Sequence, residues 1–216
     1  MTTRRTTAWL NERMAAHPLD TPGRVFVTAD THFGQADAHA RYDRRFRGRE
    51  EMESAYVDAI NDVVGPSDLL LHLGDFVGDL DSRKAKVREA RRIRERLSVE
   101  RIVLVRGNHD PVHPDFDGLF DSVHDLLAFR WPRGGTRVVC SHYPLRSWRG
   151  NRKGSIHLYG HTHGRLEEIG RSTDVGVDCW SHRPVQLDHL VASLGLREIV
   201  AFPMKRMRRQ PDRPAP

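Results

Sequence analysis

Five short apolar runs in this sequence each end directly in a small group of polar residues, and this pattern limits the possible folds most strongly. The run RVFVTA at 24–29 is one example, because Asp30 and His32 follow it at once. A short β-branched run of this kind is typical of a buried strand. The five polar groups are Asp30-Thr31-His32, Gly74-Asp75, Gly107-Asn108-His109-Asp110, Ser141-His142 and Gly160-His161-Thr162-His163. The pattern predicts an α/β protein whose functional groups lie at the carboxyl ends of its strands.

Helical periodicity separates the first three of these runs. In the first such segment Met52, Tyr56 and Ile60 recur every four residues, and Gly65-Pro66 ends the pattern. The expected helices are 50–64, 82–97 and 187–194, and segment 33–49 is expected to be a loop. Strand patterns dominate beyond Pro114. The expected strands are 24–29, 69–73, 101–105, 123–131, 137–141, 156–159 and 173–177.

Length and composition restrict the class of protein. The 216 residues suit one domain, and the formal charge of +6 favours anionic partners. No apolar run approaches the roughly 18 residues of a membrane span, so no membrane contact is expected. The amino-terminal residues lack the apolar segment of a signal peptide. Two cysteines cannot form a disulfide framework, and these features together favour a cytoplasmic protein.

The polar groups at the strand ends offer carboxylate, amide and imidazole donors. In an extended chain residues i and i+2 point the same way. Asp30 and His32 are therefore expected to reach one ion, and His161 and His163 a common cluster. Such donors suit borderline ions such as zinc, iron and manganese.

In their order along the chain, the five polar groups resemble the motifs of the calcineurin-like metallophosphoesterases. Segments 29–34 and 175–180 resemble the small bacterial and phage branch of that family. The resemblance covers residues 24 to about 195, and it implies a four-layer αββα sandwich of two mixed β-sheets flanked by helices. We expect this domain at 24–202, after a lead-in at 1–23 and before a basic, disordered tail at 203–216.

The resemblance also implies two divalent metal ions, with manganese as the first candidate and zinc, iron or nickel as alternatives. The implied ligands are Asp30, His32 and His163 for the first ion, Asn108, His142 and His161 for the second, and Asp75 as the bridge. His109 is the implied acid that stabilises the phosphate and protonates the leaving oxygen. Asp110 is expected to orient His109, as a carboxylate behind an imidazole does. Between them the two ions would activate a bridging water, which attacks phosphorus as hydroxide.

Two arginine-rich segments, 41–49 and 146–153, follow strand ends that carry expected ligands. The planar guanidinium binds two phosphate oxygens at once. We therefore expect both segments, with Arg44 in the first and Arg146 and Arg149 in the second, to contact a phosphorylated substrate such as a nucleotide or a nucleic-acid end. A solvated basic surface would explain the same residues.

Three functions remain open. A fourth, a nuclease that acts on DNA ends, is disfavoured because it usually needs a further domain or dimerisation to hold a duplex. Short loops without a cap favour hydrolysis of phosphodiesters, and a phosphomonoesterase that acts on proteins or small molecules is the alternative. A non-catalytic metal-binding scaffold for other proteins belongs to a different class. It is disfavoured because no expected ligand and no acid histidine is missing. No protein partner is indicated.

Overall fold

The computed structural model describes residues 19–132 and 135–200. Most of the predicted lead-in at 1–23 and all of the predicted tail at 203–216 lie outside the described residues. Of the helices in the described part, none is both long and apolar enough to cross a membrane.

The first sheet contains five strands. They are β1 (Val25–Thr28), β2 (Leu69–His72), β3 (Arg101–Val105), β4 (Ser122–His124) and β9 (Val185–Gln186). Their spatial order is β4-β3-β2-β1-β9, and only β9 runs antiparallel to its neighbour. Every residue of β1 and β2 is buried, which explains why these runs are continuously apolar instead of alternating.

The second sheet contains four strands. They are β5 (Leu126–Trp131), β6 (Thr136–Ser141), β7 (Ile156–Tyr159) and β8 (Ser172–Asp174). Their order follows the chain, with β5 antiparallel to β6 and the other pairs parallel. Both sheets are therefore mixed.

The described residues form the α-helices α1 (Ala38–Arg41), α2 (Arg49–Val63), α3 (Arg83–Arg94), α4 (Pro114–Asp117) and α5 (Leu187–Gly195). The two longest, α2 and α3, cover the outer face of the first sheet. Met52 and Ile60 of α2 and Ile93 of α3 are buried in one apolar cluster with Leu70 and Ile102 of the sheet. The spacing of these helix residues matches the predicted amphipathic faces.

A second apolar cluster lies between the two sheets. Val27 and Leu71 of the first sheet pack there with Val138 and Leu158 of the second, and α5 adds Leu190. Full burial of side chains of this size stabilises a fold by roughly 1.5–3 kcal/mol each. The predicted fold class, an α/β protein of two mixed sheets flanked by helices, is confirmed.

Two predicted elements differ from the observed ones. The predicted strand 123–131 is wrong, because β4 and β5 belong to different sheets and the chain crosses between them at Asp125. A local apolar pattern contains no signal for such a change of sheet. The predicted loop 33–49 contains the short helix α1 and the first residue of α2.

Candidate metal centre

Loops that follow five strands meet at one edge of the sandwich. The strands β1, β2 and β3 are parallel neighbours, as are β6 and β7, so the carboxyl ends within each sheet lie together. Backbone hydrogen bonds join the loops, since Asp30 N–H donates to the Gly74 carbonyl and Gly160 N–H donates to the His142 carbonyl. These loops carry all of the predicted ligands, Asp30, His32, Asp75, Asn108, His142, His161 and His163.

The first group consists of Asp30, His32 and His163, whose donor atoms lie within 4.8 Å of one another. His32 Nδ1 lies 3.1 Å from the Gln35 side-chain oxygen, which orients the ring and leaves Nε2 available. The Asp30 carboxylate accepts the His161 N–H at 2.8 and 3.0 Å. This contact ties the end of β1 to the loop that follows β7.

The second group consists of Asp75, His142 and His161, whose donor atoms also lie within 4.8 Å of one another. His142 Nδ1 donates to the Leu73 carbonyl at 2.9 Å, so Nε2 is the nitrogen that faces the group. The Asn108 side-chain oxygen lies 3.0 Å from that Nε2. Asn108 therefore lies beside the second group.

Asp75 of the second group also lies beside the first. Its Oδ2 lies 3.6 Å from His32 Nε2 and 3.4 Å from His142 Nε2. Its Oδ1 accepts the backbone N–H of His109 at 2.8 Å, which fixes the carboxylate. One carboxylate in this position can contact an ion in each group.

Five of the seven candidate ligands have a left-handed backbone. They are Asp30, His32, Asp75, His161 and His163, with φ between 50° and 71°. Such values are uncommon for residues other than glycine and cost on the order of 1–3 kcal/mol each. The extended-chain explanation of the Asp30 and His32 spacing is therefore wrong, because β1 ends at Thr28. Their side chains still reach one group, while Thr31 between them bonds the Phe76 carbonyl.

Gly107 allows two of these loops to approach closely. A Cβ atom at this position would lie 2.2 Å from both the backbone nitrogen and Oδ1 of Asp75. Since no side chain fits there, the glycine before Asn108 is required for the position of Asp75.

The donors fit divalent cations. His32 Nε2 is buried and has no hydrogen-bond partner, although buried polar atoms are almost always paired. Burial holds the pKa of His32 well below its usual range, so the ring is in the neutral form that metals bind. Burial, followed by the charge of nearby Asp75, raises the pKa of Asp30 well above its usual range. A cation between these carboxylates would remove the cost of burying them as anions.

The negative charge of Asp75 also changes the pKa of His142. Burial alone would lower its pKa, but the hydrogen bond and the charge of Asp75 raise it to about 9. Burial likewise acts to raise the pKa of Asp75, and its contacts with His142 lower that pKa to about 2. The pair therefore shows that positive charge is strongly stabilised at this position.

A family model described as calcineurin-like phosphoesterase matches residues 23–205 of the chain. The chain belongs to this family. An uncharacterized protein of Methanocaldococcus jannaschii is 29% identical over an alignment that covers 82% of this chain and 94% of the relative. The Gene 66 protein of Mycobacterium phage D29 is 28% identical, with coverage of 77% and 93%.

One solved structure is similar in architecture alone. It is the crystal structure of a protein of unknown function from Aquifex aeolicus, with a TM-score of 0.58 and 22% identity. The match covers 79% of this chain and 98% of the other. The names of these relatives specify no substrate, so the family indicates metal-dependent phosphoester chemistry without identifying the ester.

Asp178 connects the candidate metal centre to a buried arginine. Its Oδ2 lies 2.7 Å from His163 Nδ1, and its two oxygens accept from the Arg44 guanidinium at 2.8 and 2.9 Å. The same guanidinium donates to the backbone carbonyls of Asp30 and Thr31. The interpretation of Arg44 as part of a substrate-binding loop is therefore wrong, because its side chain is fully buried. Its hydrogen bonds hold the backbone of the Asp30 loop and the carboxylate of Asp178 in place.

His109 and Asp110 occupy different surroundings. The His109 ring lies 5.2 Å from the His32 ring, and one of its nitrogens lies within 4.8 Å of the donor atoms of His32 and Asp75. The sequence predicts that Asp110 lies behind this ring and orients it, but the structure places its carboxylate elsewhere. Its oxygens accept the backbone N–H groups of Val77 and Gly107 instead. Asp110 therefore holds together the loops after β2 and β3.

Two tyrosines near the centre were not identified from the sequence. Tyr42 stacks on His163 with ring centroids 3.8 Å apart and an interplanar angle of 10°. Tyr143 lies 4.5 Å from the His161 ring and is 50% exposed. No local pattern marks either residue, because each contact depends on chain segments that are distant in sequence.

The predicted substrate residues lie on two different pockets. Arg146 borders a pocket of about 230 Å³ together with Trp148 and Tyr159. Arg149 borders a separate pocket of about 720 Å³ at the starts of β6 and β7. The metal centre lies at the other ends of these strands, so the structure does not bring the two arginines together at one place.

Proposed function

We propose that the chain is a dinuclear-metal phosphoesterase that hydrolyses phosphodiesters, with nucleotides or nucleic-acid ends as its substrate class. The observation that carries this proposal is the position of Asp75. Its Oδ2 lies within 3.6 Å of an imidazole from each donor group, which is the arrangement that two neighbouring ions require of a shared ligand.

Each ion has its own set of donors in this proposal. Asp30, His32 and His163 would hold the first ion, and Asn108, His142 and His161 would hold the second. The oxygen and imidazole donors suit manganese, which we propose first, and also zinc, iron or nickel. When bound, two such ions polarise the phosphate oxygens and lower the pKa of a water molecule.

His109 is placed to act on the leaving group. Its backbone is fixed at both ends, because its N–H donates to Asp75 and its carbonyl accepts from Lys86 Nζ. The side chain remains partly exposed beside His32. In the proposed reaction a water molecule gives one proton to the solvent, its hydroxide oxygen bonds to phosphorus, and the bond from phosphorus to the leaving oxygen breaks. The imidazolium of His109 gives its proton to that oxygen. Asp110 contributes by holding the loop that carries His109.

The proposed preference for diesters is supported by the solvent exposure of the edge of the sandwich that carries the metal centre. Asn108 is exposed, Tyr143 is half-exposed, and no cap covers the centre within the described residues. A chain that continues on both sides of the scissile phosphate can therefore reach the site. A phosphomonoesterase would instead be expected to enclose the terminal phosphate.

The test compares hydrolysis of bis-p-nitrophenyl phosphate with that of p-nitrophenyl phosphate in the presence of manganese, zinc or nickel. We expect turnover of the diester, abolished by a chelator and restored by metal. No hydrolysis of either ester with any of these ions would contradict the proposal. It would favour a non-catalytic metal-binding protein.

The role of His109 is tested by His109→Ala, with His189→Ala as a matched control at an exposed helical position. Loss of a general acid should lower kcat by about 10²–10⁴-fold, most strongly for a diester with a poor alkoxide leaving group. Metal content should stay at the wild-type level. An unchanged rate with the poor leaving group would remove the acid role, and loss of an ion would show that His109 is a ligand.

A further inference from the structure

A pocket with five basic side chains lies at the end of the second sheet opposite to the metal centre. We refer to it as the basic pocket. It has a volume of about 720 Å³, and its basic residues are Arg130, Arg137, Arg149, Lys153 and Arg171.

The register of the strands fixes the distance between this pocket and the metal centre. Arg130 on β5 pairs with Arg137 at the start of β6. His142 follows the last residue of β6, five positions after Arg137. At 3.2–3.4 Å per residue the two positions are about 17 Å apart. A ligand in the basic pocket therefore meets different residues from a phosphate at the metal centre.

Within the described residues, no carboxylate neutralises the charges of the basic pocket. No carboxylate of residues 19–132 or 135–200 lies within ion-pair distance of these five side chains. Like charges placed directly opposite each other on neighbouring strands are destabilising, as for Arg130 and Arg137. An anion bound between them would reverse this repulsion.

Backbone carbonyls hold two of the arginines in place without cancelling their charge. Arg171 donates to the carbonyls of Arg197 at 3.0 Å and Gly154 at 3.3 Å, and Arg130 donates to the carbonyl of Gly135 at 2.9 Å. Gly154 has a φ of +82°, and a Cβ atom there would lie 3.0 Å from Arg171 Nη1. The glycine therefore allows this guanidinium to lie against the backbone. Groups ordered in advance lose less entropy when a ligand binds.

We propose that the basic pocket binds the linked phosphates of a polyanion, separately from the metal centre. Guanidinium groups match phosphate oxygens in pairs, and several of them in one concavity suit more than one phosphate. The volume lies within the usual range of about 300–1,000 Å³ for ligand pockets. A nucleic-acid strand and a free oligophosphate share this chemistry.

The test uses the full-length, metal-loaded protein and the double variant Arg130→Gln/Lys153→Gln. The matched control is Lys84→Gln/Arg88→Gln, which removes the same charge from the exposed face of α3. Two probes are compared, inorganic tripolyphosphate by calorimetry and a labelled single-stranded ten-nucleotide phosphorothioate by anisotropy. Binding at the metal centre is common to both variants, so the difference between them reports the basic pocket.

We expect the pocket variant to bind at least one probe roughly tenfold more weakly than the control does. For the oligonucleotide, the slope of log affinity against log salt should fall by about 0.7 per side chain removed. Weakening of the oligonucleotide alone identifies a nucleic-acid strand as the ligand, and weakening of tripolyphosphate alone identifies a compact oligophosphate. Equal affinities of the two variants for both probes would overturn the proposal. Since the readout is binding, that result would leave the proposed hydrolysis unaffected.

Discussion

Asp178→Asn is the substitution that should most clearly weaken the binding of one ion and leave the binding of the other unchanged. The carboxylate of Asp178 bonds Nδ1 of His163, a member of the first donor group, at 2.7 Å. An amide of the same size keeps the shape of the side chain but loses its negative charge. The variant therefore weakens the support of one ligand while it leaves all seven candidate ligands present.

The expected magnitude follows from the contacts that change. A carboxylate behind a ligand imidazole raises the basicity of that ligand, and its loss typically lowers metal affinity or activity by about 10–100-fold. That range corresponds to roughly 1.4–2.8 kcal/mol of binding free energy. The ion held by Asp30, His32 and His163 should lose this affinity, and the other ion should keep its own.

The same substitution should also lower the stability of the fold. Arg44 is fully buried, and its two bonds to Asp178 neutralise its charge. Removing one partner of a buried pair costs about 3–5 kcal/mol, and the 12% exposure of Asp178 places this case toward the lower value. The unfolding free energy of the chelated protein, measured with denaturant, gives this number without any contribution from metal.

Asp62→Asn is the matched control, because it makes the same chemical change in a carboxylate that pairs with Arg183 on the surface. An exposed pair of this kind contributes about 0–1 kcal/mol. Calorimetric titration of both variants with manganese should therefore show one weakened site in Asp178→Asn and two normal sites in Asp62→Asn. Two wild-type affinities in Asp178→Asn would refute the reasoning, as would equal weakening of both.

Two further outcomes follow from the structure. Asp75→Asn should disturb the occupancy of both ions, because its Oδ2 faces both donor groups, and two full equivalents of metal by elemental analysis would contradict the shared role. Burial lowers the pKa of His157 to about 4. Its ring is neutral in the folded protein, with Nδ1 donating to the Val139 carbonyl and Nε2 accepting from Leu145 N–H. Between pH 6.5 and about 4 the unfolded chain therefore binds a proton at His157 that the folded protein does not. The contribution of His157 to the unfolding free energy is fully present above pH 6.5. It is lost as the pH falls to about 4, by about 3 kcal/mol in total. In chelator, His157→Gln should show a shallower fall of unfolding free energy over this interval, and equal slopes would show that His157 does not cause it.

The parts of the fold that depend on local pattern were predictable from the sequence. The mainly apolar runs at β1, β2, β3 and β7 form strands at the predicted places, because burial on both faces leaves few polar positions. The polar groups at the ends of these runs converge, because parallel strands bring their carboxyl ends to one edge.

Features that depend on distant segments were not predictable. Arg44 and Asp178 are 134 positions apart, and an arginine in a polar segment looks the same whether it is buried or solvated. The position of Asp110 depends on the turn after β2, which the sequence does not specify. Within segment 122–131, β4 belongs to the first sheet and β5 to the second, and this assignment depends on strands that are distant in sequence.

The left-handed backbone at five of the candidate ligands has a consequence for how this protein can change over evolutionary time. Glycine would adopt these conformations without steric cost, so the residues that would bind metal are not those that the backbone favours. Random substitution followed by selection for thermal tolerance alone would therefore tend to erase the site, while selection for turnover would preserve it. Descendants that have lost catalysis would be expected to show glycine or asparagine at these positions and higher melting temperatures than their active relatives.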